Sequence, residues 1–556
     1  MTAQLHDLMM DYPLTLTHFF ERSRRLFAKK TLATRVPGQP VFRYTYGEFA
    51  ERTFRLAGLL RSLGVGKGDR VATFAWNSHR HLELYWAVPL SGAVLHTLNI
   101  RLFPDQLAYV INHAEDKIIF ADATLLPLLQ KVQAQIKKVA RFVVMTDPSA
   151  PLRAGSGQVP ETTLSPTSEY ESLLGAAKTE FAFPKLDELD AAGMCYTSGT
   201  TGNPKGVVYT HRALFIHSMA EAMADSIALS EHDTVMPVVP MFHANAWGLP
   251  FTCTMVGAKQ VFPGPHLTPP DLAGLIQNEK ITIAAGVPTL WIPLYGLLQK
   301  EKYDVSSLRA LVVGGSAAPR SLIENFERNF GVPIVHAWGM TEMTPLGTLS
   351  KLKGHLVDAP EDVRFAYRAK QGMAVPGVDV QVVDEAGQEV AWDGKTMGEL
   401  WVRGPWVASS YYNEASLSGA FTPDGWFRTG DVVTIDPEGY MEITDRTKDL
   451  VKSGGEWISS VALESALMGH PKVLEAAVIA IPHDKWQERP LACVVPKPDQ
   501  AESVTKDELI EFLRPKFPKF WLPDDLVFIK EMPKTSVGKF DKKVLREQFK
   551  GHASSA

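Results

Sequence analysis

The sequence predicts an α/β protein with a body of largely parallel sheet, a following antiparallel sheet or barrel, and a compact C-terminal portion. Three features point there. Short apolar runs bounded by Gly, Pro or Asp alternate with longer helical patterns, as in sheets buried on both faces. From Gly377 the runs alternate apolar with polar residues, as in sheets with one wet face. Beyond Asp445 the elements are short and the tail is rich in lysine.

In chain order, the first well-delimited element is a helix. Thr45 and Glu48 can form a capping box, Phe49, Leu56, Leu59, Leu60 and Leu63 supply an apolar face, and Gly64 can end it. Buried strands are predicted at residues 71–76, 118–121, 142–145, 235–239, 281–285 and 311–313. Residues 148–167 are rich in Pro, Ser, Thr and Gly and read as a surface loop. Val378, Val380 and Val382 open the alternating region, which continues at 398–402 and 432–444. A late helix is capped by Thr505 and Glu508 and stops near Pro515. No internal repeat is visible.

A chain of 556 residues exceeds one ordinary core, so two or more domains are expected. The net charge of −5 argues against a general nucleic-acid binder, whose affinity comes from neutralising phosphates, but leaves room for a local site for one small polyanion. Cys195, Cys253 and Cys493 lie far apart in no metal-like spacing, which fits a reduced cytosolic setting better than a disulfide framework or zinc site. No apolar run approaches the ~20 residues that span a bilayer. The N-terminal stretch lacks the basic start and apolar core of a signal peptide, so a cytoplasmic protein is expected.

The strongest local signal is Tyr196-Thr197-Ser198-Gly199-Thr200-Thr201-Gly202-Asn203-Pro204-Lys205-Gly206. Its glycines permit close backbone approach, its hydroxyls and N–H groups can surround phosphate oxygens, and Lys205 adds a point charge. It is not a G-x-x-x-x-G-K-[ST] loop, because proline precedes Lys205 and glycine follows it. Alone it could be a polar surface loop. In this chain it resembles the signature of the adenylate-forming superfamily of acyl-CoA synthetases, peptide-synthetase adenylation domains and firefly luciferase. Six further segments match that family in order: Pro240-Met241-Phe242-His243, Gly314-Gly315-Ser316-Ala317-Ala318-Pro319, Trp338-Gly339-Met340-Thr341-Glu342, Arg428-Thr429-Gly430-Asp431, Asp445-Arg446-Thr447-Lys448-Asp449 and Pro533-Lys534-Thr535-Ser536-Val537-Gly538-Lys539.

The resemblance implies a large domain of doubly wound sheets with a β-barrel-like subdomain (residues 1–444) and a small, mobile α+β domain (445–556), with Asp445 as hinge. It implies a nucleotide site built from Thr197, Ser198, Gly199, Thr200, Thr201, Gly202, Lys205, Gly315, Ser316, Ala317, Pro319, His336, Ala337, Trp338, Gly339, Met340, Thr341, Asp431, Arg446 and Lys452. Within it, Thr197 and Glu342 would hold Mg²⁺, Trp338 would stack on adenine, and Asp431 would accept the ribose hydroxyls. Lys539 would stabilise the charge that rearranges when a carboxylate attacks the α-phosphate. Gly454, Gly455, Glu456 and Trp457 would line the coenzyme A path, and His243 and Trp247 the acyl pocket. Out of context several of these read blandly, Glu342 as a solvated turn residue and Lys539 as one surface lysine among many.

The expected activity is conversion of a medium- or long-chain fatty acid, ATP and coenzyme A to acyl-CoA, AMP and pyrophosphate, through an acyl-adenylate. The stretch Met241-Phe242-His243-Ala244-Asn245-Ala246-Trp247 favours this branch, and no acidic or basic selector for amino acids is evident. A ligase for another small or aromatic acid, an adenylating enzyme with a non-CoA acceptor, a luciferase-like oxygenase and a non-enzymatic binding protein are the rivals. Nucleic acid is not an expected partner. Peripheral membrane contact and a homodimer are expectations from the resemblance alone.

Overall fold

A computed structural model of the chain describes residues 9–36, 38–146, 162–178, 181–197, 203–414, 419–446, 449–453, 456–483, 485–534 and 540–552. Two mixed sheets form the large N-terminal body. In one, Arg70–Phe74, Val94–Thr97, Ile118–Asp122, Arg141–Met145 and Ala191–Tyr196 run parallel, and Gly206–Thr210 closes an edge antiparallel. In the other, Thr234–Pro237, Lys259–Phe262, Ile283–Gly286, Ala310–Val313 and Ile334–Gly339 are parallel, with antiparallel strands at both edges. The predicted apolar runs therefore lie on or within two residues of observed strands. Most of the loop expected at 148–167 lies outside the described residues.

The predicted capping box is present. Thr45 caps the helix Tyr46–Ser62, accepting from the Glu48 N–H, while the Glu48 carboxylate accepts from the Thr45 N–H at 2.7 Å. The helix His79–Leu90 is buried on every side although it carries His81 and Glu83. Its polar groups are matched internally: His81 Nε2 lies 2.9 Å from Thr73 Oγ1 and Glu83 pairs with Arg52 at 2.7 Å. Pairing of that kind is what permits charge in a core.

The alternating region forms a four-stranded antiparallel sheet in chain order, Asp379–Val383, Gly398–Arg403, Phe427–Ile435 and Met441–Arg446. It takes the sheet form rather than a closed barrel, since four strands are too few to enclose a filled interior. The smaller C-terminal domain follows. A long hairpin, Val473–His483 with Gln487–Pro496, carries Asp525–Phe528 parallel on its second strand. The helices Ser460–Met468, Lys506–Leu513 and Lys542–Gln548 cover this sheet. Thr505 caps the second of these, as its sequence predicts. Cys195, Cys253 and Cys493 are all unpaired and buried. Among the described residues no helix is long and apolar enough to cross a membrane.

Candidate active site

A cavity of about 990 Å³ lies where the C-terminal ends of several parallel strands meet the four-stranded sheet and the small domain. Sites at strand C-termini are the rule in open α/β sheets, because chain direction there reverses and loops gather. Thr197, Lys205, His243, Trp247, Gly315, Ser316, Ala317, Pro319, His336, Ala337, Trp338, Gly339, Met340, Thr341, Glu342, Asp431, Asp445 and Arg446 all line it. Residues so scattered in sequence meet because each follows, ends or sits beside a strand.

The phosphate-loop signature spans the turn of the hairpin Ala191–Tyr196 with Gly206–Thr210. Ser198, Gly199, Thr200, Thr201 and Gly202 lie outside the described residues. The base of the loop is clamped: Thr197 N–H donates to Lys205 O at 2.9 Å, and Lys205 N–H donates to Thr197 Oγ1 at 3.0 Å. The Lys205 ammonium sits 3.3 Å from Glu414 and 4.5 Å above the Tyr411 ring.

Tyr411 also donates its hydroxyl to Glu342 at 2.7 Å. Glu342 is buried in the short turn Thr341–Met343, and burial raises its carboxyl above the ordinary range despite that bond and Arg446 nearby. A buried carboxylate facing a cavity, without an ion-pair partner among the described residues, suits a cation. Among the described residues no three His, Cys, Asp or Glu side chains converge as a preformed metal cage. Mg²⁺ needs no such cage, since it keeps several waters and uses one or two carboxylates beside substrate phosphates. Glu342 and Thr197 therefore fit Mg²⁺ together with a polyphosphate.

Trp338 and Asp431 are joined directly. The indole Nε1 donates to Asp431 Oδ2 at 2.8 Å, and Arg446 Nε lies 3.1 Å from Oδ1. Asp431 and Arg446 are cross-strand neighbours, and that carboxylate raises the Arg446 guanidinium above its usual value. Next to Trp338 only glycine fits, because a Cβ on Gly339 would lie 2.0 Å from Pro345 O. His336 fastens the 314–319 loop: its Nε2 accepts from Ala318 N at 3.2 Å while Nδ1 donates to Ala369 O at 2.9 Å. Burial lowers its pKa to about 4, so it acts as a neutral brace.

After His243, Ala244, Asn245, Ala246, Trp247 and Gly248 form one left-handed turn with φ of 42°, 53°, 48°, 60° and 86°. Each non-glycine residue there costs ~1–2 kcal/mol. Asn245 helps hold the turn, buried beside the hydroxyl of Tyr85 at 3.4 Å. Trp247 reaches the 314–319 loop, since a Cβ on Gly314 would lie 3.3 Å from its ring.

Two sequence-predicted residues, Lys452 and Trp457, are not among those lining the cavity. Lys452 is an exposed residue on the strand Val451–Ser453, opposite Trp457 on Glu456–Ile458. Gly454, Gly455 and Lys539 lie outside the described residues. Asp445 is buried near the end of Met441–Arg446, and its carboxylate accepts from Ser460 N at 2.8 Å. Burial raises that carboxyl, against the opposing charge of Lys542. Lys542 itself pairs with Glu464 at 2.7 Å. Tyr411, Glu414, Glu221 and Lys542 line the cavity and were not singled out in the sequence. The run Tyr411-Tyr412-Asn413-Glu414 was the one available signal, a polar aromatic stretch outside any strand.

This arrangement defines an adenylate-forming enzyme architecture. The crystal structure of the anthranilate CoA ligase AuaEII in complex with anthranoyl-AMP has the same fold, with a TM-score of 0.85 at 24% identity over 97% of this chain and 98% of that one. The chain belongs to the AMP-binding enzyme family, which matches residues 20–412, with the family's C-terminal domain at 462–539. It is 52% identical to a long-chain-fatty-acid–CoA ligase of Thermus thermophilus, covering 99% of this chain and 98% of that protein. It is 43% identical to a 3-methylmercaptopropionyl-CoA ligase of Ruegeria lacuscaerulensis, covering 98% of each.

Proposed function

We propose that this protein activates a medium- or long-chain fatty acid with ATP and transfers the acyl group to coenzyme A. The observation that carries the reading is one continuous cavity joining Trp338 and Asp431 to His243 and Trp247. In the first half-reaction a carboxylate oxygen attacks the α-phosphorus, the bond to the β-phosphate oxygen breaks, and pyrophosphate leaves. In the second, the sulfur of CoA attacks the acyl carbonyl carbon, AMP leaves, and the thiol proton is released.

Each group has a part consistent with its surroundings. Asp431, already accepting from Trp338, would take the ribose hydroxyls with its remaining lone pairs, which a carboxylate has in excess. Lys205 and the loop hydroxyls would hold the phosphates. Glu342 and Thr197 would hold Mg²⁺, which supplies charge neutralisation at the polyphosphate when bound. Lys539 is assigned to the first half-reaction, and Gly454, Gly455, Glu456 and Trp457 to the second. Asp445 is assigned as the hinge between 1–444 and 445–556, supported by its buried cap on the helix Ser460–Met468.

The relative acting on 3-methylmercaptopropionate favours a second reading, a ligase for a short thioether acid. A cytoplasmic setting belongs to the proposal, supported by three buried unpaired cysteines. The homodimer and the peripheral membrane contact are carried from the resemblance alone, and sedimentation and vesicle flotation read them directly. The test of the function is paired: acid-dependent ATP–pyrophosphate exchange without CoA, then CoA-dependent thioester formation. Exchange without thioester would point to another acyl acceptor, and absence of both would end the enzymatic reading.

A further inference from the structure

The part of the cavity beside the turn Ala244–Gly248 differs from what a plain alkyl chain requires. Besides Trp247, the cavity is lined by Ile227, Leu346 and Glu221. Glu221 stands on the helix His211–Ala222 and is 1% exposed. Its one hydrogen-bond partner among the described residues is the Thr252 hydroxyl, which donates to Oε2. No Lys or Arg pairs with it among the described residues, and burial pushes its carboxyl up to about 8, so it keeps its proton at neutral pH.

One turn earlier, His217 accepts at Nε2 from Leu346 N at 3.2 Å, which leaves Nδ1 as a buried donor without a partner among the described residues. Both side chains converge behind the turn that carries Trp247. A Cβ on Gly248, whose φ is +86°, would lie 2.8 Å from His217 Nδ1 and 3.4 Å from Glu221 Oε2. Glu221 is the one of the two that faces the cavity. An alkyl chain pressed against it offers no acceptor, whereas an ether, hydroxyl or thioether does.

We propose that Glu221 determines acyl specificity: its carboxyl donates a hydrogen bond to an oxygen or sulfur atom in the distal part of the acyl group. Acids carrying such an atom at the right depth are favoured over plain chains of equal length. Acids with a second carboxylate there are disfavoured, because that charge would have to be buried without a cation. The inference rests on the reading that the Trp247 side of the cavity takes the acyl group.

The test measures kcat/KM for CoA-dependent AMP release with straight-chain acids and matched acids in which one methylene is replaced by oxygen or sulfur at successive positions. It compares the full-length protein with E221Q, E221D and E221L, with melting temperature and ATP binding as checks on folding. In the unaltered protein one replacement position should stand out by roughly 10-fold, the scale of one buried hydrogen bond. E221L should erase that peak and improve the plain chains, while E221Q, which can still donate, should keep most of it. If E221L does not fold, E221D decides, because withdrawing the carboxyl by one methylene must lower or shift the peak. A folded E221L or E221D variant with an unchanged profile overturns the proposal, as does a featureless profile in the unaltered protein. Absence of CoA-dependent AMP release with every acid overturns the ligase reading and this inference with it.

Discussion

Replacing Trp338 by Phe removes one atom group of consequence, the indole N–H, while keeping a flat ring for a base. In the structure that N–H donates to Asp431 Oδ2 at 2.8 Å, and Asp431 is only 2% exposed. The other support of the carboxylate is Arg446, whose side chain is 42% exposed and therefore the weaker brace. Hydrogen bonds to a charged group contribute ~1.5–3 kcal/mol, which corresponds to roughly 10- to 150-fold in an equilibrium constant. If Asp431 receives ribose, W338F should raise KM for ATP in pyrophosphate exchange by about that factor. D431N should do the same through the acceptor. Because both act through one contact, the double variant should fall well short of the product of the two effects. A folded W338F protein with unchanged KM for ATP would refute the reasoning, and so would two effects that multiply fully.

Three further outcomes follow from the geometry and a fourth from the family resemblance. Lys542 and Glu464 form a buried pair, so K542M should destabilise by ~3–5 kcal/mol, and K542M with E464L should recover part of that loss in chemical denaturation, buried Asp445 still lacking its cation. Recovery should be absent if the pair is incidental. Glu221, beside Thr252, His217 and Cys253, has a carboxyl pushed from 4.5 to about 8, so between those values the folded protein holds a proton that the unfolded chain has released. Its stability should be full below pH 4.5 and fall as pH rises through 8, by up to roughly 5 kcal/mol. E221Q should flatten that part of the melting-temperature profile; an unchanged slope would contradict the assignment. Trp247 sits at φ 60°, so W247G should be more stable than W247A by ~1 kcal/mol, the reverse of their order in an ordinary helix. Finally, K539A should slow adenylate formation by roughly 10²-fold yet spare thioester formation from supplied acyl-adenylate; equal loss in both half-reactions would remove the division of roles.

Most of the site was legible because its chemistry sits in loops after strands, where glycine, hydroxyl and charged residues mark the chain sharply. The stretches carrying Thr197, Trp338 and Asp431 are far apart in sequence, and the fold brings all three to one cavity. The capping box at Thr45 and the N-cap at Thr505 were legible for a local reason, since the partners lie within one turn. What escaped depends on tertiary neighbours. Glu221 in Met219-Ala220-Glu221-Ala222 reads as the polar face of a surface helix, and only its packing against Gly248 and Thr252 places it in the interior. The helix His79–Leu90 escaped likewise, because its Arg and Glu residues are buried against partners far away in sequence, such as Arg52 and Glu171. The left-handed turn at Ala244–Gly248 has no composition signal apart from Asn245 and Gly248. Lys452, which the resemblance assigns to the nucleotide, is exposed on its strand and is not among the residues lining the cavity.

The central claim, CoA ligation of a fatty acid, is tested most directly by kcat/KM for CoA-dependent AMP release across straight-chain acids from acetate upward. Each buried methylene contributes about 0.8 kcal/mol, so the constant should climb by up to roughly fourfold per carbon until the chain meets the end of the cavity. A flat profile from acetate onward would contradict the fatty-acid assignment and leave only acid–CoA ligation standing.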